Sequence, residues 1–202
     1  MLRLAVLLLI FMTTAAVSET PMHKLIDQER RALNAISKDR LAGMLKKPGA
    51  DVTYSRAWLD VQKVTKGDAQ WQCLSEALYF EARGESVTGQ FAVGEVILNR
   101  VDSAEFPNTV CKVINQGTGR KFACQFTYTC DGRKEVISEP VAYDRVGKVA
   151  YMLLKGAPRN LTQGATYYHT RSVNPGWARK FLRTATIGVH YFYRQPTRVS
   201  LN

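Results

Sequence analysis

The segment 73–101 constrains the fold most strongly, because it contains two helical patterns separated by a single break. The first pattern ends near Gly84, where the chain loses its regular spacing. Ser86 is a favourable N-cap for a second helix, which continues to Val101. The apolar residues of the first pattern recur at the spacing of one helix face: Leu74, Ala77 and Leu78. The sequence therefore predicts two consecutive helices joined by a short turn.

Four further segments have clear patterns. Residues 109–115 and 141–154 are typical of helices, and the second is ended by Gly156 and Pro158. Residues 165–170 and 187–193 are aromatic and β-branched, which is typical of strands. We expect these strands to pair as an antiparallel ribbon bridged by the loop at 174–177. The predicted fold class is therefore α+β, dominated by helices, with a small antiparallel β-ribbon.

The first eighteen residues are typical of a secretory signal peptide. Arg3 precedes an apolar run that ends in small residues and is short for a membrane span. An uncleaved membrane anchor is the alternative. No later stretch is both apolar and long enough for a membrane helix. We expect an exported protein, periplasmic or associated with the cell wall, with no stable membrane span after signal cleavage.

Residues 19–70 differ in character from the remainder of the chain. A charged helical pattern extends from Met22 to about Lys47, where Pro48 and Gly49 end it. We interpret residues 19–70 as a basic helical stem, loosely packed or partly disordered, and residues 71–197 as the compact domain. The net charge of +11 indicates an anionic partner, and export argues against nucleic acid. Solubility alone is the other explanation of this charge.

All of the cysteines lie after residue 70: Cys73, Cys111, Cys124 and Cys130. In an oxidising compartment an even number predicts two disulfides. Of the three pairings we favour Cys124–Cys130, which closes a short loop, together with Cys73–Cys111. A zinc site is disfavoured because no Cys-x-x-Cys pair occurs and the nearest histidines are far along the chain. We expect no metal and no organic cofactor.

Glu81 continues the apolar face of the first helix by one turn, whereas Glu76 points elsewhere. Glu85 extends the same line if the helix passes the glycine. A carboxylate on an apolar face is costly unless it is paired or protonated. Burial raises the pKa of such a group, as a general acid near neutral pH requires. The alternative is an ion pair with Arg83 or Arg100 that holds two helices together.

A series of motifs occurs in order between Trp71 and Arg194: Glu81-Ala-Arg-Gly-Glu-Ser86, Gly89-Gln-Phe-Ala-Val93, Val96-Ile-Leu-Asn-Arg-Val101, Phe106-Pro107, Cys124-Gln-Phe126, Tyr167-Tyr-His169, Asn174-Pro-Gly-Trp177 and Ile187-Gly-Val-His-Tyr-Phe-Tyr193. As an ordered set they resemble the SleB-type cell-wall hydrolase family, which includes spore-cortex-lytic enzymes. The resemblance implies a lysozyme-like catalytic domain. It also implies that the first glutamate of the first motif, Glu81, is the catalytic acid.

The implied substrate is the peptidoglycan glycan strand, cleaved between N-acetylmuramic acid and N-acetylglucosamine. Aromatic rings stack on sugars and amides bond to N-acetyl groups, so six residues are expected to bind the substrate: Gln125, Phe126, Tyr168, His169, Trp177 and Asn99. An aromatic core is the alternative for the rings, and a helix cap is the alternative for the asparagine. We expect His190 to be a hydrogen-bonded core histidine.

The reaction type depends on a second carboxylate, which a retaining or inverting glycosidase needs across the scissile bond. Asp102, Glu105 and Asp144 are candidates, but each is equally explained as a helix-end or loop charge. With one acid, the sequence favours a lytic transglycosylase, in which the 6-hydroxyl of the sugar attacks. The alternatives are a hydrolytic muramidase, an N-acetylmuramoyl amidase and a non-catalytic wall-binding module. We expect a monomer whose partner is peptidoglycan.

Overall fold

The computed structural model of the protein describes residues 21–34, 52–63, 65–120 and 123–196. The chain divides into two units, residues 1–46 and 47–202. The predicted signal peptide lies outside the described residues, as does the part of the predicted stem between 35 and 51. Within the described ranges, no helix combines the length and the apolar character that crossing a membrane requires.

The first unit contains helix α1, Pro21–Asn34, which agrees with the predicted helical pattern as far as it is described. Its side chains from 23 to 31 are exposed. The described part of the second unit contains helices α2 (Arg56–Asp60), α3 (Ala69–Ala82), α4 (Val87–Val101), α5 (Val110–Ile114) and α6 (Pro140–Leu154), with strands β1 (Tyr167–Thr170), β2 (Leu182–Ile187) and β3 (His190–Arg194). Short 3-10 helices occur at Thr127–Thr129 and Gly176–Arg179.

Helix α2 belongs to the packed domain, so the predicted boundary at residue 70 is too late. Leu59 is fully buried, and the rings of Tyr54 and Trp58 lie 5.1 and 6.4 Å from that of Phe91. The ammonium of Lys148 donates to the carbonyl of Leu59 at 3.1 Å. This segment shows only one short apolar cluster in the sequence, which is too short to reveal a periodicity.

Helix α4 is the central element of the domain, because twelve of its fifteen residues are buried. The Ser86 hydroxyl accepts from the amide of Gly89, which confirms the predicted N-cap. Gly94 allows α6 to approach closely, since a Cβ there would lie 2.4 Å from Cδ1 of Leu153. Helix α3 also packs on α6, where the indole of Trp71 donates to a backbone carbonyl at 2.8 Å. These contacts fix α3, α4 and α6 as one helical layer.

The sheet is antiparallel with strand order β1-β3-β2. The sequence predicted two strands, and the structure adds β2. The predicted second strand is interrupted by a turn at Gly188, whose φ of +59° a residue with a side chain rarely adopts. Ile187, the first residue of the predicted second strand, therefore ends β2, and β3 begins at His190. The predicted class, a helix-dominated α+β domain with a small antiparallel sheet, is confirmed.

Both disulfides have the predicted pairing. Cys73–Cys111 joins α3 to α5, with a Cα–Cα distance of 5.3 Å. Cys124–Cys130 closes a short loop, with a Cα–Cα distance of 6.2 Å. We refer to residues 124–130 as the disulfide loop.

Candidate active site

The carboxyl of Glu81 lies in the last turn of α3 and faces a cavity of about 340 Å³ between the helices, the disulfide loop and the sheet. This volume is within the range of small-molecule binding sites. The cavity lining is mixed in character: Phe80, Glu81, Arg100, Gln125, Phe126, Thr127, Tyr168, His169, Thr170, Val173 and His190. Glu81 is the one carboxylate among these described residues. A second cavity of about 390 Å³ shares Glu81 on its other side.

Burial raises the pKa of Glu81 above its ordinary value of 4.5, and two neighbours oppose this effect. The hydroxyl of Tyr168 donates to Oε2 of Glu81 at 3.0 Å. The positive charge of Arg100 also favours the ionised carboxylate. The pKa of Tyr168 itself is held well above its ordinary value by burial and by Glu81, so the phenol remains a donor. This environment suits a group that gives up a proton and later takes one back.

Tyr168 reaches Glu81 because α4 fixes the segment that leads into β1. Glu95 accepts from the backbone amide of Thr162 at 2.9 Å and from its hydroxyl at 2.6 Å. The Asn99 amide donates to the carbonyl of Ala165 at 2.9 Å. Side chains from about one turn of α4 thus anchor residues 161–166. These hydrogen bonds also satisfy polar side chains of α4 that would otherwise be buried without partners. The start of β1, and with it the Tyr168 hydroxyl, is therefore set by α4.

Arg100 is almost fully buried, yet its side chain lines the cavity. Its Nε donates to the carbonyl of Thr166 at 2.6 Å. With the Gln125 amide oxygen turned towards the guanidinium, that oxygen accepts from Nη1 and Nη2, each at 3.1 Å. Rings of Phe106 and Phe126 lie 5.4 and 5.7 Å from the guanidinium carbon. The sequence suggested Arg100 only as an ion-pair partner, because its packing between helix, strand and loop is a tertiary property.

The disulfide loop supplies one wall of the cavity. Gln125, Phe126 and Thr127 all line it, and all three lie between the paired cysteines. Tyr128 stacks on Phe80 with ring centroids 4.7 Å apart and an interplanar angle of 22°. The two substrate-binding residues predicted in this loop, Gln125 and Phe126, are therefore brought to the same cavity as Glu81.

Both sheet histidines line the cavity, but their rings are held differently. His169 follows Tyr168 in β1, so its ring points to the other face of the sheet. There its Nδ1 lies 2.8 Å from the carbonyl of Thr170, and its Nε2 lies 3.0 Å from the hydroxyl of Tyr193. A carbonyl only accepts, so Nδ1 carries the proton and Nε2 accepts from the phenol. Both nitrogens of His169 are thus occupied within the protein while the residue still lines the cavity, so its role in substrate binding stays a prediction.

His190, expected to be a hydrogen-bonded core residue, instead lines the cavity. Its ring meets that of Tyr168 edge-on at 5.2 Å. Among the described residues, its buried Nδ1 has no hydrogen-bond partner, and the nearest carboxylate oxygen is Oε1 of Glu85 at 3.9 Å. Burial lowers the pKa of His190, and Glu85 opposes that effect. His190 and His169 point to opposite faces of the sheet. This difference depends on the turn at Gly188, which determines where β3 begins.

Trp177 and Asn99 are not brought to the cavity. The ring of Trp177 packs in a cluster with Tyr167 at 5.1 Å and Tyr193 at 5.4 Å, on the face of the sheet that holds His169. The Asn99 amide is used on the chain before β1. The packing of Trp177 agrees with the aromatic-core alternative, whereas Asn99 holds the chain before β1 and is not the cap of α4, which is Asp102.

The carboxylates proposed as partners of Glu81 lie elsewhere. Asp102 forms an ion pair with Arg159 at 2.5 Å, and neither Glu105 nor Asp144 lines a cavity that contains Glu81. Glu85 does line the second cavity. Its Oε2 packs against the hairpin turn, where a Cβ on Gly188 would lie 2.2 Å away.

The second cavity also contains Glu139, which forms an ion pair with Arg83 at 2.9 Å. The described residues contain no group of three or more His, Cys, Asp or Glu side chains that would hold a metal ion. A partly buried carboxyl in a polar cavity, with a donor on one oxygen and a cation nearby, is the type of site at which enzymes use a general acid.

Comparison with known proteins identifies the family. Residues 84–193 match the Cell Wall Hydrolase family, and the chain belongs to it. The matched range begins three residues after Glu81, so the role of that residue depends on its geometry. The chain is 33% identical over 126 residues to the spore cortex-lytic enzyme of Halalkalibacterium halodurans, which covers 62% of this chain and 34% of the relative.

A second relative, the spore cortex-lytic enzyme of Bacillus cereus, is 39% identical over 90 residues, covering 40% of this chain and 32% of its own. The chain thus spans about a third of the length of these curated relatives. Among solved structures, the catalytic domain of the germination-specific lytic transglycosylase SleB from Bacillus anthracis is 31% identical with a TM-score of 0.49, covering 66% of this chain and 100% of that domain.

Proposed function

We propose that this protein cleaves peptidoglycan glycan strands between N-acetylmuramic acid and N-acetylglucosamine, as a lytic transglycosylase with Glu81 as its single acid and base. One observation carries the proposal. Glu81 faces a polar cavity in which it is the one carboxylate among the described lining residues. Membership of the cell wall hydrolase family supports peptidoglycan as the substrate.

The surroundings of Glu81 support the two proton transfers that this reaction needs. In the first step protonated Glu81 gives its proton to the glycosidic oxygen, and the bond from that oxygen to the anomeric carbon of muramic acid breaks. In the second step the 6-hydroxyl of the same sugar attacks the anomeric carbon, and the Glu81 carboxylate takes the hydroxyl proton. The products are a free 4-hydroxyl and a 1,6-anhydro ring, and Glu81 is again protonated.

The residues around Glu81 have separate tasks in this scheme. Burial raises its pKa and keeps the proton available for the first step. Tyr168 and Arg100 favour the carboxylate that exists between the steps. Gln125, in the disulfide loop, is suited to hold an N-acetyl group, whereas the Phe126 ring is buried and packs beside the Arg100 guanidinium. Because these groups are positioned before the substrate binds, little reorganisation is needed during the reaction.

Glu85 favours a second candidate function, hydrolysis by a muramidase. It lines the cavity on the other side of Glu81 and lies 3.9 Å from His190, so a water held there would have a base. We favour transglycosylation because the Glu85 carboxylate is packed against the hairpin turn rather than facing the larger group of polar lining residues.

The decisive experiment is digestion of purified peptidoglycan in water labelled with ¹⁸O, followed by mass spectrometry of the fragments. Transglycosylation gives fragments that end in 1,6-anhydro-muramic acid, one water lighter than hydrolytic products and free of label. The Glu85→Gln variant should give the same anhydro ends.

Labelled, reducing muramic acid as the main product, abolished by Glu85→Gln, would assign the hydrolytic mechanism instead. Cleavage confined to the peptide stems would make the protein an amidase. Binding without any cleavage would make it a wall-binding module.

A further inference from the structure

The charge of the chain is distributed very unevenly. After Asp144 the sequence contains no Asp or Glu, whereas ten Lys and Arg residues follow. This part of the chain includes the last turns of α6, the whole sheet and its connections. Nearly all of the net charge of +11 therefore lies in this part of the chain, which includes β1 and β3, the two strands that line the Glu81 cavity.

On the outer face of the sheet two of these cations flank one ring. The guanidinium of Arg183, in β2, lies 5.0 Å from the ring of Tyr191 in β3, and that of Arg171, which follows β1, lies 5.8 Å from it. Both arginines are exposed, and neither has a carboxylate within 4 Å among the described residues. We call Arg171, Arg183 and Tyr191 the arginine–tyrosine surface.

This surface is held in a defined shape. The backbone amide of Arg171 donates to the carbonyl of Val189 at 3.0 Å, and its guanidinium donates to the carbonyl of Gly188 at 3.2 Å. Tyr191 pairs with His169 across the strands, and their rings meet edge-on at 5.6 Å. Exposed cations held on a strand, as Arg183 is, or bonded to a hairpin turn, as Arg171 is, lose less freedom on binding than cations on a flexible loop.

The arginine–tyrosine surface is also continuous with the cavity along the chain. Thr170 and Val173, which lie on either side of Arg171, both line the cavity that contains Glu81. A polymer that extends out of this cavity along the 170–173 segment would therefore pass the guanidinium groups.

We propose that the arginine–tyrosine surface binds the carboxylates of peptide stems attached to the glycan strand whose sugars occupy the Glu81 cavity. This inference rests on the proposed function for the identity of the polymer. Guanidinium groups form bidentate hydrogen bonds with carboxylates, and the stems of peptidoglycan end in carboxylates. The surface thus makes the enzyme select strands that still have their stems.

An anionic bilayer is the other partner that such charge would suit. A stem is the better fit because it branches from the strand in the cavity, and Arg171 lies between Thr170 and Val173, which both line that cavity. The exposed apolar side chains nearby, Val173 and Leu182, are single residues of a kind common on soluble surfaces. The observations therefore favour the stem.

The test measures binding without cleavage, using Glu81→Gln as the background so that sacculi stay intact. Co-sedimentation with purified sacculi is compared for this background and for the added pair Arg171→Gln and Arg183→Gln. We expect the pair to weaken binding about 3- to 20-fold at low ionic strength, and less in 0.5 M salt. Sacculi stripped of their stems by an amidase should bind both proteins equally. The matched control, Lys63→Gln with Lys66→Gln, removes two exposed cations elsewhere and should bind like the background.

Arg171→Lys with Arg183→Lys keeps the charge but loses the bidentate hydrogen bonds, and should recover part of the binding to intact sacculi, which a purely structural defect would not allow. An equal loss on stripped and intact sacculi would overturn the proposal, as would unchanged binding by the glutamine pair. Loss of binding only to phosphatidylglycerol vesicles would assign the surface to a membrane instead. Failure of the proposed cleavage chemistry would appear separately, in the products of the unsubstituted protein.

Discussion

The hydroxyl of Tyr168 donates a hydrogen bond to Oε2 of Glu81 at 3.0 Å, across the boundary between the sheet and the helical layer. The two residues are 87 positions apart and come from different elements. Their contact exists because α4 anchors the chain before β1 and because α3 ends next to the same strand. The chemistry of the site therefore depends on the docking of the sheet on the helices.

Replacing Glu81 by glutamine should reduce cleavage of purified sacculi by at least 100-fold, since the amide keeps the shape but has no acidic proton. Turbidity loss of a sacculus suspension measures this directly. The matched control is Glu76→Gln on the same helix, where, among the described residues, the carboxylate accepts from Gln72 alone, at 3.1 Å, and should be replaced with little effect. Activity of the Glu81 variant above a tenth of the original would remove Glu81 from the mechanism.

The same substitution should stabilise the fold at neutral pH. Because burial raises the folded-state pKa of Glu81 above its ordinary value of 4.5, the folded protein carries a cost once the pH exceeds that value. The contribution of the protonated group is complete below pH 4.5 and is lost as the pH rises through the raised pKa. Thermal melts should show a higher Tm for Glu81→Gln at pH 7 and no difference near pH 4. Equal Tm values at both pH values would contradict the burial of this carboxyl.

Tyr168→Phe should move the alkaline limb of the pH–kcat profile to higher pH. The Tyr168 hydroxyl favours the ionised carboxylate. Without it the pKa of Glu81 rises, and the protonated form persists to higher pH. We also expect kcat to fall about tenfold, since one hydrogen bond to a charged group is removed. Tyr151→Phe on α6, outside the cavity, is the control. A fall in kcat with an unmoved limb would show that Tyr168 only supports the packing.

The two disulfides should have separable effects. The separations of 38 and 6 residues predict that loss of Cys73–Cys111 costs about 4 kcal/mol and loss of Cys124–Cys130 about 2 kcal/mol in the free energy of unfolding. Serine pairs, compared by denaturant unfolding and by sacculus cleavage, measure both quantities. The Cys124–Cys130 pair should have the larger effect on activity, because three cavity residues lie inside its loop. Full activity without that bond would show that the loop keeps its shape unaided.

Much of the helical layer could be predicted from the sequence, because its signals are local. The N-cap at Ser86, the break at Gly84 and the position of Glu81 on an apolar face all follow from spacing of a few residues. The sheet was only partly predictable. Strand β2 was missed, and the turn at Gly188 was interpreted as part of a strand, because a single glycine in an aromatic run gives an ambiguous pattern.

The site shows the same division. Glu81, Gln125, Phe126 and Tyr168 were expected and do meet at one cavity. The role of Arg100 could not be predicted from the sequence. Its buried guanidinium has no carboxylate within 4 Å among the described residues and is held by contacts with three segments that are distant from one another in sequence. The position of His190 beside Tyr168 could not be predicted either, since it depends on which face of the sheet the residue occupies.

Strand parity has a consequence for how this protein tolerates changes of length. Tyr168 faces Glu81 and His169 faces Tyr193 because residues in a strand alternate between faces. A deletion of one residue at the start of β1, next to the α4-anchored Thr166, would put the imidazole of His169 opposite the acid, whereas an insertion there would put the ring of Tyr167 in that place. An alignment that allows a one-residue gap at this point would therefore identify the wrong side chain as the hydrogen-bond donor to Glu81, even where every residue type matches.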